Sequence, residues 1–397
     1  MKILFLTQRF PFPLDRGDRI RSYHILRYLA GRHNVSLASL TDEDIQDSHW
    51  KEIKDLCATV DIGRIQRNQR RILSLFYLPT STPLTTPNYY SKELRSKVDL
   101  RIRKESFDLI FIYCSSMAQY VLRYSRIPKV IDFVDIDSEK WFEYARSTYF
   151  PTNLVYFREG VLLRRYEKIV TESCLHAFVT SHREKLITDQ FRIGTPVTSI
   201  RNGVSMSEKA DPMRSGSRMI FTGVMDYRPN EDAVCHFVKD IFPLICKEIP
   251  EAEFFIVGQK PTRRVKELSK VTSVNVTGWV PDTHEYMRDS AVFVAPIRIA
   301  RGVQNKVLEA MAAGLPVVAT SAAADGLEAV ERRDYLLGDS PDRFAEQVVL
   351  LLRDSGLRKQ LAHNAIEYVR RMHDWTSNLE EMENILLDVV EMNRGCG

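Results

Sequence analysis

The residues best spaced for chemistry lie in GVQNKVLEAMAAGLPVVAT, residues 302–320. Glu309 stands four residues after Asn305 and three after Lys306, so a helix starting near Gln304 places all three on one face close to its N-terminus. Backbone N–H groups and the dipole at such an end favour phosphate. Lys306 adds charge suited to a diphosphate, Glu309 can accept two hydrogen bonds from a ribose diol, and Gly302 lets a ligand come close to the backbone. Arg298 and Arg301 stand just before this helix. The same spacing also describes a Lys306–Glu309 ion pair on an ordinary solvated helix, a common and weakly stabilising arrangement.

Four other segments carry candidate groups. In FTGVMDYRPNED (221–232), Gly223 ends an apolar run and Arg228 precedes a helix, an entry that either cradles phosphate or is a simple turn. In FPFPLDRGDR (10–19), prolines and Gly17 make a stiff loop that borders a ligand or merely connects. In DFVDIDSEKW (132–141), Asp132, Asp135 and Asp137 precede Trp141. These carboxylates can bind sugar hydroxyls beside an aromatic platform or act as a base. As a metal site the segment is poor, lacking His and matching no calcium-loop spacing, and helix capping by Asp137 or Ser138 is the plainer reading. Finally, residues 64–104 are rich in Arg and Lys around Leu73, Leu75, Phe76, Tyr77 and Leu78. That mixture suits an anionic membrane surface, or else a solvated helix face; no nucleic-acid motif accompanies it.

These groups need a scaffold. With 397 residues, 44% hydrophobic and 27% charged, the chain is long enough for two globular domains. A net charge of +4 is too small to argue for nucleic acid. The six cysteines form no C-x-x-C pair, which points to reduced thiols in the cytoplasm. The longest apolar stretch, 72–79, falls far short of the roughly 18 residues of a membrane span, and MKILFLTQRF reads as a first strand rather than a signal peptide. Apolar runs at 2–7, 35–40, 108–113, 129–134, 176–180, 218–223, 253–258, 274–278, 291–296 and 316–320 alternate with helical patterns. Strands without a solvated face belong to parallel sheets covered by helices on both sides. A strand–loop–helix entry occurs at residues 2–31 and again at 218–239, with a polar linker just before the second. The expectation is therefore an α/β chain of two doubly wound domains, with ligands at the carboxyl ends of strands.

At this point the residues resemble a family. GVQNKVLEAMAAGLPVVAT is similar to the donor-site motif of the retaining family-4 glycosyltransferases of GT-B fold, and the likeness extends to RNGV (201–204), FTGVMDYRPN (221–230), FFIVG (254–258), VTGWVPD (276–282) and the helix after Trp375. RFPFPLDRGDRIR and DFVDIDSEKW look more specifically like bacterial exopolysaccharide- and exosortase-associated sugar transferases. The resemblance implies two Rossmann-like domains facing across a cleft: an acceptor-side domain at 1–203, a donor domain at 204–374, and a C-terminal helix at 375–397 crossing back to the first. It implies a peripheral cytoplasmic enzyme that moves a sugar from a UDP- or GDP-linked donor to a glycan or lipid-linked acceptor, without a metal. Glu309 matches the ribose-binding glutamate, Gly223 and Gly17 the glycines near the phosphates, and Val280 and Pro281 the loop flanking the base. Arg228 and Lys306 would stabilise the leaving diphosphate, with Arg298, Gly302 and Asn305 beside them. Asp132, Asp135, Asp137 and Trp141 would serve the acceptor side, Asp135 nearest the chemistry. Arg301 stands where relatives often have a first glutamate. An epimerase of the same fold and a non-catalytic nucleotide-sugar binder are the alternatives.

Overall fold

A computed structural model describes residues 1–14, 16–191, 193–206, 216–299 and 303–395, side chains excepted at 67, 68, 71 and 72. The chain divides into two compact units: Met1–Arg201 with Thr376–Gly397, and Asn202–Trp375.

Unit 1 is built on seven parallel strands: β1 (Lys2–Thr7), β2 (Asn34–Thr41), β3 (Thr59–Arg64), β4 (Leu109–Tyr113), β5 (Lys129–Asp132), β6 (His176–Val179) and β7 (Val197–Ser199). Their order, β3-β2-β1-β4-β5-β6-β7, reverses direction at β1 and β4. That reversal is the switch point of a doubly wound sheet, where loops splay apart and leave room for a ligand. The central strands are sealed on both faces: every residue of β4 and β5 is buried. Phe5, Phe111 and Phe178 stack across β1, β4 and β6, with centroids 4.8 and 6.4 Å apart. In the first helix, Gly17–Ala30, Ile20, Tyr23, Leu26 and Leu29 stand three apart; the last three are buried and Ile20 is half-buried, and Arg19 and Arg21 are buried as well.

Unit 2 has six parallel strands: β8 (Arg218–Thr222), β9 (Glu253–Val257), β10 (Val274–Gly278), β11 (Val292–Ala295), β12 (Val317–Ala319) and β13 (Leu336–Leu337), in the order β10-β9-β8-β11-β12-β13. Its switch point falls between β8 and β11. Helices Arg228–His236 and Asn305–Ala312 follow these two strands. Residues 341–372 form two helices, Pro341–Arg353 and Ser355–Met372, broken at Asp354, whose carboxylate caps the second by accepting from Leu357 N at 2.9 Å.

The last helix, Trp375–Gly395, belongs to unit 1 from Thr376 onward. Glu383 accepts from Tyr28 Oη at 3.0 Å and pairs with His33 at 2.8 Å, and Arg394 reaches Asp108 at 2.6 Å. Among the described residues no helix is long and apolar enough to cross a membrane.

Candidate functional site

In unit 2 the loops after β8, β9 and β10 are stacked through glycines. Gly223 N donates to Val257 O at 3.1 Å, and Gly258 N donates to Gly278 O at 3.1 Å. A Cβ on Gly258 would lie 1.7 Å from Gly223 O, and Gly258 has φ +151°, so only glycine fits there. A Cβ on Gly223 would lie 2.7 Å from Asn230 Nδ2 and 3.3 Å from Lys306 Nζ. Backbone therefore comes close to the functional side chains with nothing intervening.

Lys306 and Asn230 meet above Gly223. Asn230, 4% exposed, donates from Nδ2 to Val224 O at 2.9 Å and accepts from Lys306 Nζ at Oδ1. The ammonium also lies 4.8 Å from the centroid of the Phe221 ring. Desolvation lowers the Lys306 pKa to about 8, against the pull of Glu309. Glu309 is half-buried, and its carboxylate accepts no hydrogen bond from another described residue. Burial raises its carboxyl to about 7, only partly offset by Lys306. The pair is thus not a surface ion pair: the ammonium is held toward Gly223 by Asn230, and the carboxylate has no hydrogen-bond donor among the described residues. A half-buried carboxylate with a raised pKa, beside a held ammonium, marks a candidate ligand site.

The other unit 2 candidates lie around these groups. Asn305, the first residue of its helix, accepts from Asn202 Nδ2 at 3.2 Å. Asn202 O in turn meets His373 Nδ1 at 2.7 Å, and His373 Nε2 meets Tyr368 Oη at 2.9 Å. Gly203 lies against the Trp375 ring, so RNGV is locked in place. Arg228 opens its helix and is exposed, and its side chain bonds no other described residue. Arg298 is not free for a phosphate: its guanidinium grips Asp232 at 3.0 and 2.7 Å. Val280 packs on the core and Pro281 is exposed, both just beyond β10 at the carboxyl edge. Arg301 and Gly302 lie outside the described residues.

In unit 1 the structure separates the three aspartates. Asp132 is 0% exposed; it pairs with Arg21 Nε at 2.8 Å and accepts from Val134 N at 2.9 Å. Arg21 also donates to Ile200 O at 2.9 Å, tying helix, sheet and chain exit together. A carboxylate so enclosed positions the loop and does not present itself to an acceptor. Asp135, half-buried, accepts from Thr180 Oγ1 at 3.0 Å. Asp137 opens the helix Asp137–Ser147 without a side-chain cap from the residue before it, and Ser138 N instead donates to Glu167 at 3.0 Å. Trp141 packs with Tyr144 and Tyr156, at 5.9 and 5.5 Å between centroids. Gly17 is exposed at the start of its helix, beside an Arg9–Asp18 bridge of 2.9 Å.

Sequence reasoning missed the backbone at this edge. Cys114 and Val134, just beyond β4 and β5, have φ of 69° and 66°. Each such non-glycine residue costs roughly 1–3 kcal/mol, a cost typical of functional edges. Burial and then the charges of Asp137, Asp18, Asp132 and Asp135 hold the Cys114 thiol well above its ordinary pKa, which keeps it protonated and unreactive. Asn230 and Asn202 were also missed.

Residues 216–354 match the family described as Glycosyl transferases group 1. The chain is 20% identical over 391 residues to a protein described as an uncharacterized 44.6 kDa protein in the cps region of Klebsiella pneumoniae, covering 94% of this chain and 96% of the relative. It is 26% identical over 308 residues to phosphatidyl-myo-inositol mannosyltransferase of Mycobacterium leprae (strain TN), covering 72% and 75%. The structure of Anabaena HepE in complex with UDP and glucose superimposes with a TM-score of 0.66 at 15% identity, over 98% of this chain and 100% of the other. The glycine-stacked site therefore lies within the stretch that matches the group 1 glycosyl transferases, and the fold of the chain is GT-B.

Proposed function

We propose that this chain is a retaining hexosyltransferase that moves a sugar from a nucleoside diphosphate to a hydroxyl of a glycan or lipid-linked acceptor, in exopolysaccharide or cell-surface glycan synthesis at the cytoplasmic face of the membrane. The observation that carries the reading is the closeness of a held ammonium, Lys306, and a half-buried carboxylate, Glu309, that has no donor among the described residues, beside the Gly223 backbone. The nucleotide supplies what each lacks: a diphosphate for Lys306 and the helix N-terminus, and a ribose diol for Glu309. UDP in the HepE complex supports a uridine nucleotide, with a GDP-linked sugar as the other donor. The cps-region relative supports the pathway, and the inositol mannosyltransferase a lipid-linked acceptor.

In the reaction, the bond between the anomeric carbon and the diphosphate oxygen breaks while the acceptor oxygen bonds to that carbon from the same face. Negative charge grows on the diphosphate, where Lys306 and exposed Arg228 stabilise it without a resident metal. The acceptor proton passes to the leaving phosphate. Asp135 and Asp137 in unit 1 orient acceptor hydroxyls, with Trp141 as a stacking surface, and the basic tract 64–104 meets anionic lipid.

The test is transfer from UDP- and GDP-sugars to glycan and lipid-linked acceptors, with Lys306→Met and Arg228→Gln alongside the wild type. Turnover falling at least about 100-fold in Lys306→Met, with the fold retained, is expected. Full activity in both variants overturns the site. A new sugar formed from donor alone would indicate an epimerase, and tight donor binding without turnover a non-catalytic binder.

A further inference from the structure

Unit 1 exposes large apolar side chains at two turns that are far apart in sequence. The first is the single turn Leu75–Tyr77, which follows the basic helix Arg67–Ser74; there Phe76 is 75% exposed. The second joins helices Asp137–Ser147 and Thr152–Glu172, where Tyr149 is 91% and Phe150 77% exposed, with Leu154 and Phe157 open on the next turn. Arg158 and Glu159 bring the two turns together. The Arg158 guanidinium donates to Tyr77 O at 2.8 Å and to Thr80 O. Buried Glu159 accepts from Leu84 N at 2.6 Å and from Thr85 N at 2.8 Å. The helix that follows the Tyr149–Phe150 tip is thus bonded to the segment that follows Phe76.

We infer that these two turns form one membrane-inserting surface, which enters the interfacial region of an anionic lipid leaflet with the Tyr149–Phe150 hairpin as its deeper point. This rests on the lipid-facing reading of the basic tract and adds to it a second segment and a mode of binding, insertion rather than surface charge alone. Charge identifies the occupant. Between Asp61 and Glu93 the chain has five basic residues, at 64, 67, 70, 71 and 92, and no acidic one. Exposed Arg146 adds a cation just before the hairpin tip. Exposed aromatic tips, one of them next to a stretch that is basic in sequence, match acyl chains beneath anionic headgroups. A second copy of the chain would bring like charge against like.

The experiment is flotation of the full chain with phosphatidylglycerol–phosphatidylcholine vesicles and with pure phosphatidylcholine vesicles, at low and at physiological salt. Three double or single variants are compared: Tyr149→Ser with Phe150→Ser, Leu75→Ser with Phe76→Ser, and Leu350→Ser as an exposed apolar control in unit 2. The wild type should bind the anionic vesicles and keep part of that binding at physiological salt. Each double variant should lose about tenfold or more in partition while the control does not. A UDP thermal shift like that of the wild type certifies the fold of each variant. Hairpin variants that bind like the wild type overturn the inference and leave the basic-tract reading standing. Wild-type binding abolished at physiological salt also overturns insertion. No binding to anionic vesicles at all overturns both readings.

Discussion

Replacing Glu309 by Gln should make the unliganded protein more stable and the nucleotide complex weaker. Without ligand the carboxylate has no hydrogen-bond donor among the described residues, and Lys306 turns to Asn230 instead. Burial moves the carboxyl from 4.5 up to about 7. The native state therefore keeps a proton that the unfolded chain has lost, and wild-type stability declines as pH rises from about 4.5 through about 7. In full that difference is on the order of 3 kcal/mol, and screening at the partly open tip brings it to about 1–2 kcal/mol. Gln carries no charge and avoids this loss. At pH 8 the variant should melt about 2–8 °C higher in the transition that UDP displaces, and the gap should shrink toward zero near pH 5. Calorimetric titration with UDP should show binding weakened roughly 10- to 100-fold, the worth of hydrogen bonds to a charged acceptor. A variant that melts lower than wild type at pH 8 would refute the reasoning, because Glu309 would then be a structural partner.

Two further substitutions test the frame around the sites. Gly258→Ala should destabilise the protein by about 2–4 kcal/mol in urea unfolding, since its Cβ would overlap Gly223 O at 1.7 Å on an unfavourable backbone. Asp132→Asn should cost about 3–5 kcal/mol by stranding the Arg21 guanidinium, and adding Arg21→Met should restore part of the loss.

Much of the fold is legible in the sequence because inner parallel strands are apolar on both faces. The runs at 2–7, 108–113 and 291–296 correspond to β1, β4 and β11 within two residues at each end. The strands without such a signal, β3, β7 and β13, all lie at sheet edges. Edge strands keep a face toward solvent, and the TVDIGR of β3 is mostly half-buried. Lys306, Glu309 and Gly223 stand out by residue type. Asn230 does not, because an amide serves equally as a cap, a turn residue or a ligand holder, and only geometry shows it holding Lys306 and Val224 together. The enclosure of Asp132 is equally silent in sequence. Its partner Arg21 lies 111 residues earlier, on a helix whose spacing marks an apolar inward face. The Tyr149–Phe150 turn is a short aromatic pair that local periodicity cannot distinguish from core.

The Trp375–Gly395 helix has a consequence for biosynthesis. Unit 2 is one continuous stretch, whereas unit 1 is completed only by residues translated after it. On the ribosome, the unit begun first is therefore finished last. Until the helix arrives, Tyr28 and His33 lack Glu383, and Asp108 lacks Arg394. Premature termination near residue 375 would thus release a chain whose later unit has all of its residues while its earlier unit lacks its closing helix. Such a product would be marked for proteolysis at its front rather than at its cut end.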